Sequence, residues 1–225
     1  MNAARAGCYG RGVLPIDAHL YAAFVAAGLL LNITPGPDML FVLASGSSGG
    51  PGAGARAALG IGVGSVVHTI AATVGLSQVL ATSATAFAIV KYAGAAYLVY
   101  LGLTALRKRA DAADASAPTD PPPVVARIFR RAVVTNVLNP KVALFFLAFV
   151  PQFVSVERGR IALQFALLGL TFCVTGTIVN LLVGLASGRI ARVFRERRGV
   201  KRALDKAVGA VFIALGIRLA LSEAG

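Results

Sequence analysis

The chain has 225 residues, 57% hydrophobic and only 14% charged, with a mean hydropathy of +0.77 and a net charge of +13. A soluble domain of this size carries about 25% charged residues, so composition excludes an ordinary soluble fold. The basic residues fall between the apolar runs and at their ends, which is the positive-inside pattern and excludes a nucleic-acid partner as the leading reading.

Apolar stretches of about 20 residues recur, the length that crosses roughly 30 Å of hydrocarbon. Backbone groups in lipid must be paired within their own segment, so these stretches are expected to be helices. The expected fold class is an all-α membrane protein with six transmembrane helices. Residues 1–17 read as an irregular extension and 18–225 as the transmembrane domain.

The first predicted helix runs from about Ala18 to Ala44 and is broken near Pro35. No small-residue cleavage site follows its apolar start, so it reads as a span rather than a signal peptide. Ser45 to Arg56 reads as a small-residue loop. It lacks the Lys-Ser/Thr of a phosphate-binding loop, and its Gly-x-Gly-x-x-Ala match follows no strand. The second helix covers about Ala57 to Val79, where Gly60 and Gly64 make a small-residue packing face. The third covers about Ala84 to Leu106. Residues 107–127, with Arg107-Lys108-Arg109 and Pro121-Pro122-Pro123, read as a solvated cytoplasmic linker. The fourth covers about Arg131 to Phe153, interrupted near Pro140, and the fifth about Ile161 to Ala186. Residues 189–206 are strongly basic and read as a helix on the membrane surface. The sixth helix covers about Ala207 to Leu221. Small-residue faces on the second and third helices allow a homodimer.

Orientation follows from Lys and Arg in the loops. Arg56 follows the first helix. Arg107, Lys108, Arg109, Arg127, Arg130 and Arg131 follow the third, and eight more between 189 and 206 follow the fifth. The opposite side carries Arg5, Arg11, Arg158, Arg160 and Arg218. Both termini are therefore expected on the outer face, with the basic loops in the cytoplasm.

The two halves resemble each other. Thr34-Pro35 matches Asn139-Pro140, Val74-Gly75-Leu76 matches Val183-Gly184-Leu185, and the segment Lys91 to Leu98 matches Lys206 to Ile213. In order, these support a first repeat over 18–106 and a second over 128–222. Three spans per repeat is an odd number, so the two repeats must lie inverted in the membrane. Inverted repeats with interrupted helices in matching places are a transporter signature, with the site near the midplane.

The interruptions hold the candidate site, Thr34, Pro35, Gly36, Pro37, Asp38, Asn139, Pro140 and Lys141. A proline in a helix removes a hydrogen bond and costs about 3 kcal/mol. A carboxylate at membrane depth costs roughly 2.5–3.5 kcal/mol on insertion scales. Thr34 and Asn139 each read as an N-cap with proline at the first helical position. Each break would aim free N–H groups into the bundle, suited to a carboxylate. Asp38 then holds an ammonium group or a proton and Lys141 a carboxylate, or the two pair and substrate competes for the pair. A packing kink alone would leave these charges unexplained. His68 is either a proton carrier or a neutral donor satisfied by a carbonyl. Lys91 either lines the pathway or snorkels to the interface, and Tyr97 is a further pathway candidate, though it more often packs. Cys8 and Cys173 are too few and too far apart for a disulfide framework or a metal site. No cofactor, metal cluster or catalytic triad is expected.

These motifs match a known family. Leu31-Asn32-Ile33-Thr34-Pro35-Gly36-Pro37-Asp38, the Gly60–His68 segment, Lys91-x-x-Gly94-Ala95-Ala96-Tyr97-Leu98, Asn136-Val-Leu-Asn139-Pro140-Lys141 and Phe149-Val-Pro-Gln-Phe153 carry the likeness. Over residues 18–222 the chain resembles the lysine exporter (LysE) superfamily, in its homoserine/threonine-efflux branch. The resemblance implies a six-helix inner-membrane exporter of amino acids or related metabolites, driven by the proton-motive force, with no enzymatic activity. Two other readings stand beside it. An inorganic cation exporter would want several intramembrane carboxylates or thiols, and only Asp38 is clearly available. A non-transporting assembly or signalling protein would tolerate neutralising Asp38 or Lys141.

Overall fold

The computed structural model describes residues 15–82, 84–107 and 125–190, with 206, 209, 210, 213, 214, 216 and 217 beyond them. Among the described residues every regular element is helical. Helix α1 spans Ala18–Ile33. Helix α2 spans Pro37–Ala71, continues through a π-helical turn at Ala72–Leu76 and joins α3 at Ser77–Thr82. Helix α4 spans Ala84–Arg107. Helix α5 spans Val125–Val137 and α6 spans Pro140–Leu144, followed by a π-helical turn at Phe145–Phe149 and a 3-10 turn at Val150–Phe153. Helix α7 spans Ile161–Leu185.

The molecule turns its apolar side chains outward. Leu163, Leu170, Val174, Ile178 and Leu182 form an exposed stripe along α7, and Leu59, Val63, Val67 and Ile70 one along α2. Gln164, Asn136, Asn139, Asn180, Ser65 and Thr69 are buried. In water that distribution is unfavourable on both counts; in lipid the exposed leucines need no cover. Two helices, Pro37–Val79 and Ile161–Leu185, are long and apolar enough to cross a membrane, and the bent pair Arg127–Val137 and Pro140–Phe153 makes a third. Pro37–Val79 has 43 residues. It is two helices joined at a kink at Gly50, so its residues do not form one straight rod.

The kink corrects the extent of one expected loop. The break expected over Ser45 to Arg56 is confined to Gly50, where φ is 79° and ψ 176°, with helical residues on both sides. A side chain would be strained there, and Gly50 is followed by Pro51, which suits the first position of a restarted helix. The Ser- and Gly-rich sequence is a poor helix former in water, but here its small residues serve close packing. Cβ atoms added at Gly46 and Gly54 would lie 2.8 Å and 2.5 Å from the Gly184 carbonyl oxygen on α7. The backbones of α2 and α7 touch, as small residues allow in membranes.

The Gly60–Gly64 face behaves as expected. It seats α5, with Ala132 against Gly60 and Asn136 against Gly64. Gly94 on α4 receives Ala148, and Gly102 packs on Gly209 and Ile213. The faces on which the sequence allowed a homodimer are thus filled within the chain. Helix α5 begins at Val125 rather than near Arg131, which shortens the expected linker. Ile128 and Ala132 are buried against α2 while Arg127, Arg130 and Arg131 are exposed. This first turn is amphipathic, so average hydropathy hides it. The sixth predicted helix and the basic stretch before it lie largely outside the described residues.

A cluster of phenylalanines fills the other half of the core. Phe145 stacks on Phe172 at 4.5 Å and on Phe149 at 5.1 Å, and Phe24 meets Phe153 edge-on at 5.3 Å. Buried Gln164 closes the turn before α7. Its Oε1 accepts from Ser155 N, and its Nε2 donates to the carbonyls of Ser155 and Gly159.

Candidate functional site

The two predicted interruptions are real and meet across one cleft. The first separates α1 from α2 at Thr34–Gly36, and the second separates α5 from α6 at Leu138–Asn139, with a bend of 43°. Their caps differ from expectation in one respect. Thr34 is not an N-cap but the C-cap of α1, where its N–H and hydroxyl both donate back to the Leu30 carbonyl. Gly36 is the N-cap of α2 and supplies no side chain, with Pro37 at the first helical position and Asp38 in the first turn. The threonine satisfies the helix that ends, because its hydroxyl reaches one turn back. The second break follows the expected pattern. Asn139 Oδ1 accepts from Lys141 N at 3.0 Å, and Pro140 opens α6.

The cleft between the breaks is lined by Asn32, Thr34, Gly36, Asp38, Asn139, Lys141 and Asn180, with Leu31, Met39, Val142 and Phe172 as apolar walls. The cleft is narrow, with a few polar groups set in apolar walls.

Lys141 reaches across this cleft to the end of α1. Its Nζ donates to the carbonyls of Leu31 at 2.8 Å and Thr34 at 2.9 Å. A helix leaves its last carbonyls unpaired and carries a partial negative charge there, so an ammonium group satisfies both needs. Residues from the two sequence halves are thereby joined.

Asp38 is tied to the second half through Asn136. Asn136 Nδ2 donates to Asp38 Oδ2 at 2.8 Å, while its Oδ1 accepts from Ser65 at 3.3 Å. These two contacts fix which way the amide points. The other Asp38 oxygen, Oδ1, is buried with no hydrogen-bond partner among the described residues. His68 reaches the same asparagine, with Nε2 3.1 Å from the Asn136 carbonyl. A carbonyl only accepts, so that nitrogen carries the hydrogen. The ring also stacks on Phe146 at 5.8 Å. The contact joins Asp38 and His68 through one residue.

The expected residues therefore separate into groups. Thr34, Gly36, Asp38, Asn139 and Lys141 line the cleft, and Pro35, Pro37 and Pro140 form the breaks beside it. Tyr97 does not line it and instead pairs with Tyr100 on α4 at 5.9 Å. The side chain of Lys91 lies outside the described residues. Among the described residues no three His, Cys, Asp or Glu come together as metal ligands.

Asn136, Asn32 and Asn180 were not singled out as site residues. Asn136 and Asn32 lie within the motifs that carried the family likeness, and a buried amide at helix depth was the available signal. Asn32 Nδ2 donates to Thr175 at 3.3 Å. Asn180, on α7, had no motif around it.

Comparison with known proteins identifies the family. The family described as LysE type translocator matches residues 29–223. A membrane protein of Vibrio cholerae without an assigned function is 30% identical over 209 residues, covering 93% of this chain and 100% of the relative. A homoserine/homoserine lactone efflux protein of Salmonella typhi is 32% identical over 198 residues, covering 88% and 94%. A leucine efflux protein of Klebsiella pneumoniae is 29% identical over 204 residues, covering 89% and 94%. No solved structure matches. With the family match spanning nearly the whole chain and two broken helices meeting at its motif residues, this protein belongs to the LysE type translocators.

Proposed function

We propose that the chain exports amino acids or closely related small metabolites across the inner membrane, coupled to protons. The observation that carries this reading is the small polar cleft where both interrupted helices meet, with Asp38 and Lys141 on its walls. The names of the Salmonella and Klebsiella relatives point to the same substrate class.

The cleft offers each end of an amino acid a complement. The N-terminus of α2 has no side-chain cap, so the N–H groups of its first turn and the helix dipole suit a carboxylate. The charge of Lys141 lies in the same cleft and favours the same end. Asp38 suits the ammonium group. A proton taken up on Asp38 removes the charge that holds the ammonium, so proton and substrate exclude one another, which is the requirement for antiport. His68, joined to Asp38 through Asn136, is the next group along this path.

Six spans in two inverted repeats, with the breaks in the first and fourth, would let one repeat rock against the other around the cleft. The contacts that cross between halves, Lys141 to α1 and Asn136 to Asp38, are the ones such rocking must remake. The basic loops face the cytoplasm and both termini face outward in this arrangement. The inorganic-cation reading gains no support from the described residues.

The test is uptake of labelled amino acids into inside-out membrane vesicles, with and without a proton gradient. Wild type is expected to take up one class of amino acid when the gradient is present. Asp38→Asn keeps an acceptor for Asn136 and is expected to lose at least about tenfold of that uptake at equal protein level, the scale of a lost charge-assisted contact. Unchanged uptake in Asp38→Asn would remove Asp38 from the mechanism. No uptake of any amino acid by wild type would return the non-transporting reading to first place.

A further inference from the structure

We propose that Asn180 is a substrate-positioning residue whose side-chain carbonyl accepts a hydrogen bond from the ammonium end of the transported molecule. This rests on reading the cleft as an amino-acid site and names the residue that orients one end of it.

Asn180 lies on α7, outside both interruptions, and is only 6% exposed. Its Nδ2 donates to the Gly176 carbonyl at 2.9 Å. A carbonyl cannot donate, so the amide nitrogen must face Gly176 and the oxygen must face away. That oxygen is buried, has no hydrogen-bond partner among the described residues, and belongs to a side chain lining the cleft. Asp38 Oδ1, on another wall of the same cleft, is also buried without a partner among the described residues.

Two acceptors without donors, bordering one small cleft, select a ligand that brings donors. An ammonium group brings three and carries the charge that complements Asp38. Asn180 is neutral, so it contributes direction rather than attraction. A buried acceptor left unpaired is costly to the empty protein. Removing it therefore separates a positioning role from a structural one, because loss of an oxygen without a partner among the described residues is not expected to lower stability.

The experiment uses the purified full chain and two variants, Asn180→Leu and Asn180→Ala. Unfolding temperature is measured without ligand. Binding is then measured for a panel of amino acids, their deaminated acids and their decarboxylated amines. Asn180→Leu is expected to hold or raise the unfolding temperature while binding the amino acid preferred by wild type roughly ten- to a hundredfold more weakly. Its affinity for the deaminated acid should stay near the wild-type value, so that discrimination between the two collapses. Asn180→Ala should show the same collapse, which guards against a steric effect of leucine.

Equal weakening toward both ligands would show that Asn180 only shapes the cleft, and would overturn the proposal. So would a lowered unfolding temperature with unchanged binding, or a site for ordered water only, seen as no change in discrimination in either variant. Should wild type bind amines but no amino acid, the exporter reading falls, and the assignment of Asn180 stands only if both variants lose the amine. Should it bind neither, both fall together.

Discussion

The two helix breaks occupy matching places in the sequence, yet they are finished differently. At the second, Asn139 folds its side chain over the start of α6 and accepts from Lys141 N. At the first, the N-cap is Gly36, and no side chain caps the start of α2 by a hydrogen bond. The ends of the preceding helices differ too. Helix α1 ends with Thr34 closing on the Leu30 and Leu31 carbonyls and with Lys141, about 110 positions away, on the Leu31 and Thr34 carbonyls, whereas α5 ends with its Asn136 carbonyl accepting from Asn139 N at 2.9 Å and lying 3.1 Å from His68 Nε2. The second break is thus capped at its helix start by its own asparagine, and the first is not. Both preceding helix ends also receive a donor from elsewhere in the chain, Lys141 at α1 and His68 at α5. The two breaks therefore differ chiefly in the cap of the helix that restarts, and the uncapped start is the one the proposed function gives to a carboxylate.

The strongest way to break this comparison is to remove the bridge. In Lys141→Met the Thr34 carbonyl loses its donor, and the Leu31 carbonyl keeps only the longer contact from Thr34 N at 3.2 Å. Leaving a buried acceptor unpaired costs about 1–3 kcal/mol. The variant is expected to unfold at a lower temperature in detergent and to lose gradient-driven uptake. An unchanged unfolding temperature would show that the end of α1 does not depend on Lys141.

A sharper test exchanges the two finishes. The φ of Gly36 is −151°, an extended value open to any residue, and an added Cβ would meet Lys141 Cδ at 3.4 Å, an ordinary contact. Gly36→Ser is therefore expected to fold and to cap α2, gaining a few tenths of a kcal/mol while reducing uptake. Asn139→Ala should lose about 1 kcal/mol of stability by uncapping α6, with the smaller effect on substrate affinity. If Gly36→Ser transports normally and Asn139→Ala loses affinity first, the roles of the two breaks are reversed.

The smallest expected effect lies outside the cleft, at the other end of α1. Asp17 caps that helix by accepting from the backbone N–H groups of Leu20 and His19, and Arg158 lies 3.3 Å from its carboxylate. The hydrogen bonds to Leu20 and His19, then the charge of Arg158, hold its carboxyl below the usual range. A depressed carboxyl contributes stability that is present above its unfolded pKa, near 3.9, and is lost as pH falls through the folded value. A slight fall in unfolding temperature below about pH 4, absent in Asp17→Asn, is the expected readout. A full-sized fall in Asp17→Asn would assign the acid sensitivity to another carboxylate.

Much of the site was legible because its causes are local. Pro35, Pro37 and Pro140 lack the N–H a helix needs, and Asn139 caps the residue two places on, so both breaks could be placed from neighbouring residues alone. The Gly60–Gly64 face was legible for a similar reason, since a four-residue spacing lies on one side of a helix whatever packs there. The small-residue stretch from Ser45 to Arg56 showed a break but not its extent, because the contacts of Gly46 and Gly54 with Gly184 on α7 lie outside that stretch. Thr34 misled for a related reason, because its hydroxyl can serve the helix before it or the one after it.

The sequence by itself determined that the chain is helical, bound for a membrane, interrupted twice at matching places, and charged at those interruptions. Each follows from properties a residue carries with it: hydropathy, a missing N–H, a side chain that caps its own neighbourhood. Only the tertiary structure decided which groups share the cleft. Lys141 serves the end of α1, Asn136 donates to Asp38 and meets His68, and Asn180 lines the cleft from a helix with no motif to mark it. A hydrogen bond between residues some 100 positions apart is set by how helices pack, and in a chain rich in alanine, glycine and leucine many packings satisfy the same pattern.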